Sequence, residues 1–552
     1  MFSSWAVRVC FGVMSYFVAG CTADAGVGDV LADSSADAPE TTATPETTAT
    51  PATPETTIET TTETTATPET TADTDASPPA LSVTVTPVGA TSVGTTSFAS
   101  STRLAVQVAD AGVAHHYRIV ATDAAQGTTL AFELAGADAD TILTGLRVGT
   151  TYTVTVDACA DAACTSGTRS ASASGTTSAE VWQLAGSGAS FSQASTIVTS
   201  GATLSYGLRF GADAPEGLAG VMQLYYNPKG SAAWTGGVRI AVSASAASTV
   251  ANLTAFTPLE AGLEHACPQP DKASSCYPGG GALMIQASQP VPLAGEDRVR
   301  LYFEATDVTA SDKTTRIYAL DSVDGLTGRD FDTRASSAAC GATAQQSDYA
   351  SGGPCEPSLV IDAGVGTATG LRHARQFRIG MPREGWTWDM AAGSFMVITG
   401  ADNCGVAGDN ALFHARWDGS GWDVTKDGAG CAAAIATLAQ GPTMLETSPG
   451  EHKLYYRDES AGKQAKKTRV AYIRADATGD PAAFELEDWE PTAAHREIVV
   501  LWPSGAALSA SEYNTLGDYF VHAIDGDLER QLMYVNLGNP SAGLGFAQLL
   551  NP

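Results

Sequence analysis

The stretch LYYRDESAGKQAKKTRVAYIRAD, residues 454–476, is an apolar-aromatic run, a polar turn and a second apolar run opened by Arg469. Aromatic and β-branched residues on both sides of a Gly- and Lys-rich turn read as two strands of a hairpin. The residues just before it, AQGPTMLETSPGEHK (439–453), supply a second turn and an earlier strand. The same design returns four more times, as LYYNPKGSAAWTGGVRIAVS (224–243), LYFEATDVTASDKTTRIYALDSVDG (301–325), FMVITGADNCGVAGDNALFHARWDGSG (395–421) and YFVHAIDGDLERQLMYVNLGN (519–539). A basic residue recurs in the second strand of the copies: Arg239, Arg316, Arg416, Arg469 and Arg530.

The copies start 77, 94, 59 and 65 residues apart, which suits four-stranded units joined by loops of variable length. A repeated all-β unit of this size predicts radial repetition, so residues 179–552 are expected to form a five-bladed β-propeller. Upstream, residues 80–178 hold the runs ALSVTVTPV, STRLAVQVAD, HHYRIVATD, TTLAFELAG and TYTVTVDAC between turn-forming stretches, the pattern of a small β-sandwich. The segment TILTGLRVGTTYTVTVDACAD (141–161) resembles the late strands of fibronectin type III domains. The resemblance implies that Leu146 packs inward and that Tyr152 forms a tyrosine corner with upstream backbone. The tryptophan usual in the second strand is absent, LAVQVAD standing in its place. The fold class expected is therefore all-β: a fibronectin type III sandwich, then a propeller.

The chain begins MFSSWAVRVCFGVMSYFVAGC, with Arg8 ahead of an apolar run from Val9 to Val18, the layout of an export signal over residues 1–20. The run is too short to span a bilayer as a helix. Val18-Ala19-Gly20-Cys21 resembles the lipobox of bacterial lipoproteins, which implies diacylation of Cys21 and anchoring in the cell envelope. The resemblance also implies, from Thr22 rather than Asp after the cysteine, a place at the outer membrane or cell surface. Residues 21–79 repeat variants of ATPETT and carry almost no large apolar residue, so no core can form there. Proline and unpaired acidic charge make this segment an extended stalk.

Net charge is −30, which repels a phosphate backbone and excludes nucleic acid as an expected partner. Outside the signal and the lipidation site, eight cysteines fall into four close pairs: Cys159/Cys164, Cys267/Cys276, Cys340/Cys355 and Cys404/Cys431. In an exported chain the simplest reading is four local disulfides. A Cys/His metal site is the competing reading, but no Cys-x-x-Cys occurs and the histidines do not stand at ligand spacing. No metal or cofactor is expected.

The propeller segment resembles the five-bladed glycoside hydrolases of the arabinanase, β-xylosidase and levansucrase type, family 43 among them. RIYALDSVDGLTGRDF resembles their phrase Ser-x-Asp-Gly-Leu-Thr-Trp through Ser322, Asp324, Gly325, Leu326 and Thr327, with Gly328 in place of Trp. The resemblance implies three carboxylates where inner strands start, acting as base, acid and modulator. The expected inner-strand starts lie near Gly281, Glu356, Gln440 and Arg496, and only Glu356 is acidic. Gln440 stands before Gly441-Pro442, where such enzymes often carry a catalytic Glu, and an amide cannot donate the proton. Asp213, Asp324 and Asp389 are the other carboxylates considered for the funnel, while Trp386, Trp388, Trp417 and Trp422 either stack on sugars or pack between sheets. The leading expectation is a lipid-anchored, non-catalytic propeller with a polysaccharide partner, for carbohydrate binding or adhesion. An active glycosidase and a structural envelope protein are the rivals.

Overall fold

The computed structural model describes residues 80–552 except for several connections, the longest being 264–282, 332–357, 381–393 and 475–494. The signal, Cys21 and the stalk lie outside the described residues.

Two antiparallel sheets form the first folded part. One holds Leu81–Pro87, Leu104–Asp110 and Thr141–Leu143; the other runs Thr129–Ala135, His116–Asp123, Thr151–Cys159, Arg169–Thr176 in spatial order. Strict alternation puts Leu104, Val106, Ile119, Ala121, Val154 and Val156 in full burial between the sheets. Gly175 allows the sheets to close, because a Cβ there would stand 2.4 Å from Val85. Leu146 is buried, and the Tyr152 hydroxyl accepts the Arg147 backbone N–H at 2.8 Å, which makes the expected corner.

Five sheets follow, and they are the five blades. Blade I is Ala202–Arg209, Met222–Pro228, Val238–Ser243, Phe256–Leu263; blade II is Leu283–Leu293, Arg298–Asp307, Thr315–Asp321, Ser358–Ile361. Blade III is Leu371–Ile379, Phe395–Asp402 and Ala411–Trp417, whose outer edge pairs with both Trp422–Val424 and Ala434–Thr437. Blade IV is Ala439–Ser448, Glu451–Asp458, Lys467–Arg474, Arg496–Glu497. Blade V is Tyr519–Ile524, Asp527–Asn536, Leu544–Leu549, and its fourth strand is Val181–Leu184 from the other end of the segment. That exchange closes the ring: the first strand of each blade packs on the first strand of the next, and blade V on blade I.

Four of the repeats coincide with the second and third strands of their blades. The fifth, 519–539, is one strand out of phase, covering the first and second strands of blade V. Arg530 therefore does not occupy the position of Arg239, Arg316, Arg416 and Arg469. In blade V the apolar-aromatic runs of the copy are the first and second strands, so this copy starts at the axis.

The sandwich is bolted to the propeller. Asn551, nearly inaccessible, donates to Ala99 O and Ala179 O at 2.8 Å each, accepts from Val181 N, and its own carbonyl takes Ser101 N and Oγ. Arg147 of the sandwich pairs with Glu451 of blade IV at 3.1 Å and lies over the Tyr472 ring, whose hydroxyl accepts Val148 N–H. Glu180, in the connection, is fully buried and is satisfied by Lys453 Nζ at 2.6 Å, Trp182 Nε1 and the Tyr455 hydroxyl.

Candidate functional site

The first strands of blades I to IV each carry a register shift: at Leu204/Tyr206, Gln286/Ser288, Arg375/Phe377 and Gln440/Thr443. A bulge at this place re-aims side chains where the strands converge, and bulges concentrate next to sites. Beyond the bulges, side chains meet across the axis. Arg378 of blade III lies over the Tyr206 ring of blade I at 5.4 Å, a contact between blades that are not neighbours, and Tyr206 packs on Phe520 at 4.3 Å. The end of the ring where the first strands start is its mouth.

A polar network spans that mouth between blades III and IV. Gln440 Nε2 donates to Glu459 Oε1 at 2.6 Å; the same oxygen takes Lys466 Nζ at 2.6 Å, and Oε2 takes Asn410 Nδ2 at 2.7 Å. Asn410 Oδ1 in turn accepts from Arg375. A second thread runs from Glu304 of blade II, which accepts Gln376 N–H, to Thr399, whose hydroxyl donates to Gln376 O and accepts Gly441 N–H. Glu459 is 5% exposed and Glu304 2%. Gln376 and Leu438, neither a glycine, hold positive φ of 44° and 54° on either side of the network, and Leu438 is 49% exposed. Left-handed non-glycine backbone is costly and persists where surrounding structure enforces it, which is often at sites.

The residues singled out from the sequence fare unevenly. Gln440 is where the reading placed it, at the start of an inner strand. Glu356, Asp389 and Asp213 lie outside the described residues, as do Trp386 and Trp388. The strand after Glu356, Ser358–Ile361, is the outermost of blade II, and Arg496 opens the outermost strand of blade IV, so neither heads an inner strand. Local pattern does not distinguish the innermost strand of a blade from the outermost; packing around the axis does.

Asp324 is at the wrong end. It follows the third strand of blade II, so it stands at the end of the ring where first strands finish, opposite Gln440. Its carboxylate accepts Arg329 N–H at 3.0 Å, while burial pushes its pKa above the ordinary carboxylate value. The surrounding turn seals blade II to blade I: Gln223 Nε2 donates to Thr327 O, the Tyr225 hydroxyl donates to Gly328 O, and Arg329 Nε donates to Gln223 Oε1. Trp417 and Trp422 pair edge to face across two strands of blade III, and Trp422 also meets Tyr302, so they are packing residues. Cys159–Cys164 and Cys404–Cys431 are disulfides; Cys267, Cys276, Cys340 and Cys355 lie outside the described residues.

Arg375, Asn410, Glu459 and Lys466 escaped the sequence reading. Glu459 sits in the polar turn of the 454–476 repeat, where an acidic residue looks like ordinary solvated turn. Among the described residues no His, Cys, Asp and Glu side chains converge as a metal-binding group.

No known family profile matches the chain, and no curated protein does. Solved structures that align with it include an exo-1,5-α-L-arabinanase from a bovine ruminal metagenomic library, at 10% identity over 61% of this chain and 90% of that one, TM-score 0.34. An exo-β-1,3-galactanase from Phanerochaete chrysosporium aligns at 12% identity over 66% of this chain and 63% of that one, TM-score 0.35. A family-43 β-1,3-galactosidase aligns at 9% identity over 64% and 94%, TM-score 0.36. Such scores carry no argument, and the five blades rest on the sheet order itself.

Proposed function

We propose that the protein is a non-catalytic carbohydrate-binding propeller, held at the outer surface of a bacterial envelope by a lipid on Cys21 and raised on the 21–79 stalk. The observation that carries the binding role is the commitment of Glu459. Both its oxygens already accept hydrogen bonds from Gln440, Asn410 and Lys466, so a proton on either would face an N–H donor. A group so placed orients amides and a cation for recognition of hydroxyls; it does not hand a proton to a leaving group. Amide, guanidinium and ammonium donors beside the exposed Leu438 supply the mix of directed hydrogen bonds and apolar surface that sugar rings require.

The test uses the full exported chain against a panel of plant, algal and bacterial polysaccharides. Binding without release of reducing ends is expected, with Gln440→Ala lowering affinity at least tenfold. Turnover of any glycoside, abolished by Glu459→Gln, would replace this reading with that of a glycosidase. Anchoring is checked separately: Cys21→Ser should abolish fatty-acid labelling and release the protein from the membrane fraction, and persistent labelling would refute the lipobox.

A further inference from the structure

After residues 21–79 the chain enters the sandwich at the end farthest from the propeller. Leu81–Pro87 pairs antiparallel with Leu104–Asp110 over seven positions, from Leu81↔Asp110 to Pro87↔Leu104. Ala80 prolongs the pairing, its carbonyl accepting the N–H of Ala111 at 3.3 Å. The junction with the propeller lies at the opposite end, where Ser101, just before Leu104, donates to Asn551 O through both its N–H and its hydroxyl. An extended strand of this length keeps the two ends about 20 Å apart. On the propeller the junction falls away from the mouth. Glu451, the partner of Arg147, opens the second strand of blade IV opposite Ser448, where the first strand finishes. Asn551 follows the third strand of blade V, which runs in the sense of the first. Gln440 lies toward the other end of its strand, so the chain's entry and the mouth are at opposite ends of one body.

A pull between those two ends acts along strands. It draws Leu81–Pro87 back against its own direction, and it passes from the sandwich to the propeller through Val181–Leu184, again against that strand's direction. Val181–Leu184 is clasped on both sides, antiparallel by Leu544–Leu549 and parallel by Val499–Leu501. Hydrogen bonds of a strand pair stand across the strands, so tension along them is shared by the whole ladder at once, whereas a sideways pull breaks it one pair at a time. Each point where load enters is also fastened by buried or half-buried polar groups. Asp110, opposite Leu81, accepts from Arg169 Nη2 at 2.9 Å and from the Tyr117 hydroxyl at 3.1 Å, which holds Leu104–Asp110 to the second sheet. Glu180, just before Val181, is held by Lys453 Nζ at 2.6 Å and by the Tyr455 hydroxyl. Leu81, Val83 and Val85 add apolar packing of the entering strand on the sandwich core.

We propose that the protein is a load-bearing tether: a polymer held at the mouth pulls against the anchor, and the chain between them resists because Leu81–Pro87 and Val181–Leu184 are both loaded in shear. The two points of load rest on the anchoring and binding reading given above, while the resistance between them rests on strand direction and pairing. A tether of this kind suits a ligand that lies beyond the cell, since the mouth is the end of the body turned away from the chain's entry.

The test is single-molecule force spectroscopy on the full exported chain carrying Cys21→Ser, held by its N-terminus. The pull is applied at one cysteine added in either of two exposed turns: Ala461→Cys, after the second strand of blade IV at the mouth end, or Ala111→Cys, beside Asp110. The first handle shears Leu81–Pro87 and Val181–Leu184; the second peels Leu81–Pro87 from Leu81 onward. Forced unfolding reads the unfolding barrier, and the mouth handle is expected to need about twice the force of the Ala111 handle, or more. Equal forces with the two handles, or a lower force with the mouth handle, would overturn the proposal. The measurement uses neither sugar nor membrane, so its failure stands apart from a failure of the polysaccharide panel or of fatty-acid labelling.

Discussion

Gln440 and Glu459 show how much one side chain's chemistry depends on its neighbour. From sequence, Gln440 is an amide where an acid was expected; in the fold it is one of three donors that saturate a buried carboxylate. Restoring an acid at this position brings two carboxylates into contact, so Gln440→Glu should destabilise the mouth without restoring hydrolysis. His414 makes a different prediction. Its folded pKa, about 4, lies below the unfolded value near 6.5, so the unfolded chain binds a proton that the folded chain refuses as pH falls through that window. Stability from this group is full above about 6.5, declines toward pH 4 and then levels, a change on the order of 3 kcal/mol. Denaturant midpoints across pH 4–7 for the native chain and for His414→Asn should differ most near neutrality and converge toward pH 4; a constant difference would contradict the assignment.

At the scale of elements, the Asp324 turn is the clearest case of a motif whose meaning changes in three dimensions. Ser322 Oγ accepts Val299 N–H and donates to Gly325 O, holding a single 3-10 turn, Gly325–Thr327, against the second strand of its own blade. Gly328 ends it at φ +61°, where a Cβ would stand 2.6 Å from Val299 and 3.1 Å from the Tyr225 hydroxyl. The backbone there needs the left-handed region and the blade interface leaves no room, which accounts for Gly in place of Trp. Gly328→Ala should cost about 2 to 3 kcal/mol, from combined backbone strain and overpacking, read as a lowered denaturant midpoint. A change under half a kcal/mol would mean that the turn yields freely. The repeated strands themselves were legible, because aromatic and β-branched runs between turn residues carry their own signature. Their rank within a blade was not, and this is why the 519–539 copy proved out of phase and why Glu356 and Arg496 were assigned to inner strands.

For the molecule as a whole, the sandwich meets the propeller through a buried polar junction. The junction buries Asp123 and Arg147, with Arg147 3.9 Å from Asp123 and 3.1 Å from Glu451, and Arg496 4.0 Å from Asp123. Removing one partner from a buried charged cluster leaves the others uncompensated, at a cost of about 3 to 5 kcal/mol. Arg147→Ala should therefore split a single calorimetric unfolding transition into two, one for the sandwich and one for the propeller. A single transition retained at the native midpoint would show that Asn551 and Glu180 hold the junction alone. What the sequence by itself determined is whatever short-range pattern encodes: an all-β chain, the repeated strands, the tyrosine corner, and the local cysteine pairs at 159/164 and 404/431. Only the tertiary structure decided which strand lies at the axis, that Asp324 and Gln440 face opposite ends of the ring, and that Arg375, Asn410 and Glu459 meet. Those facts depend on ring closure through Val181–Leu184, a contact across more than 350 residues that no local pattern carries.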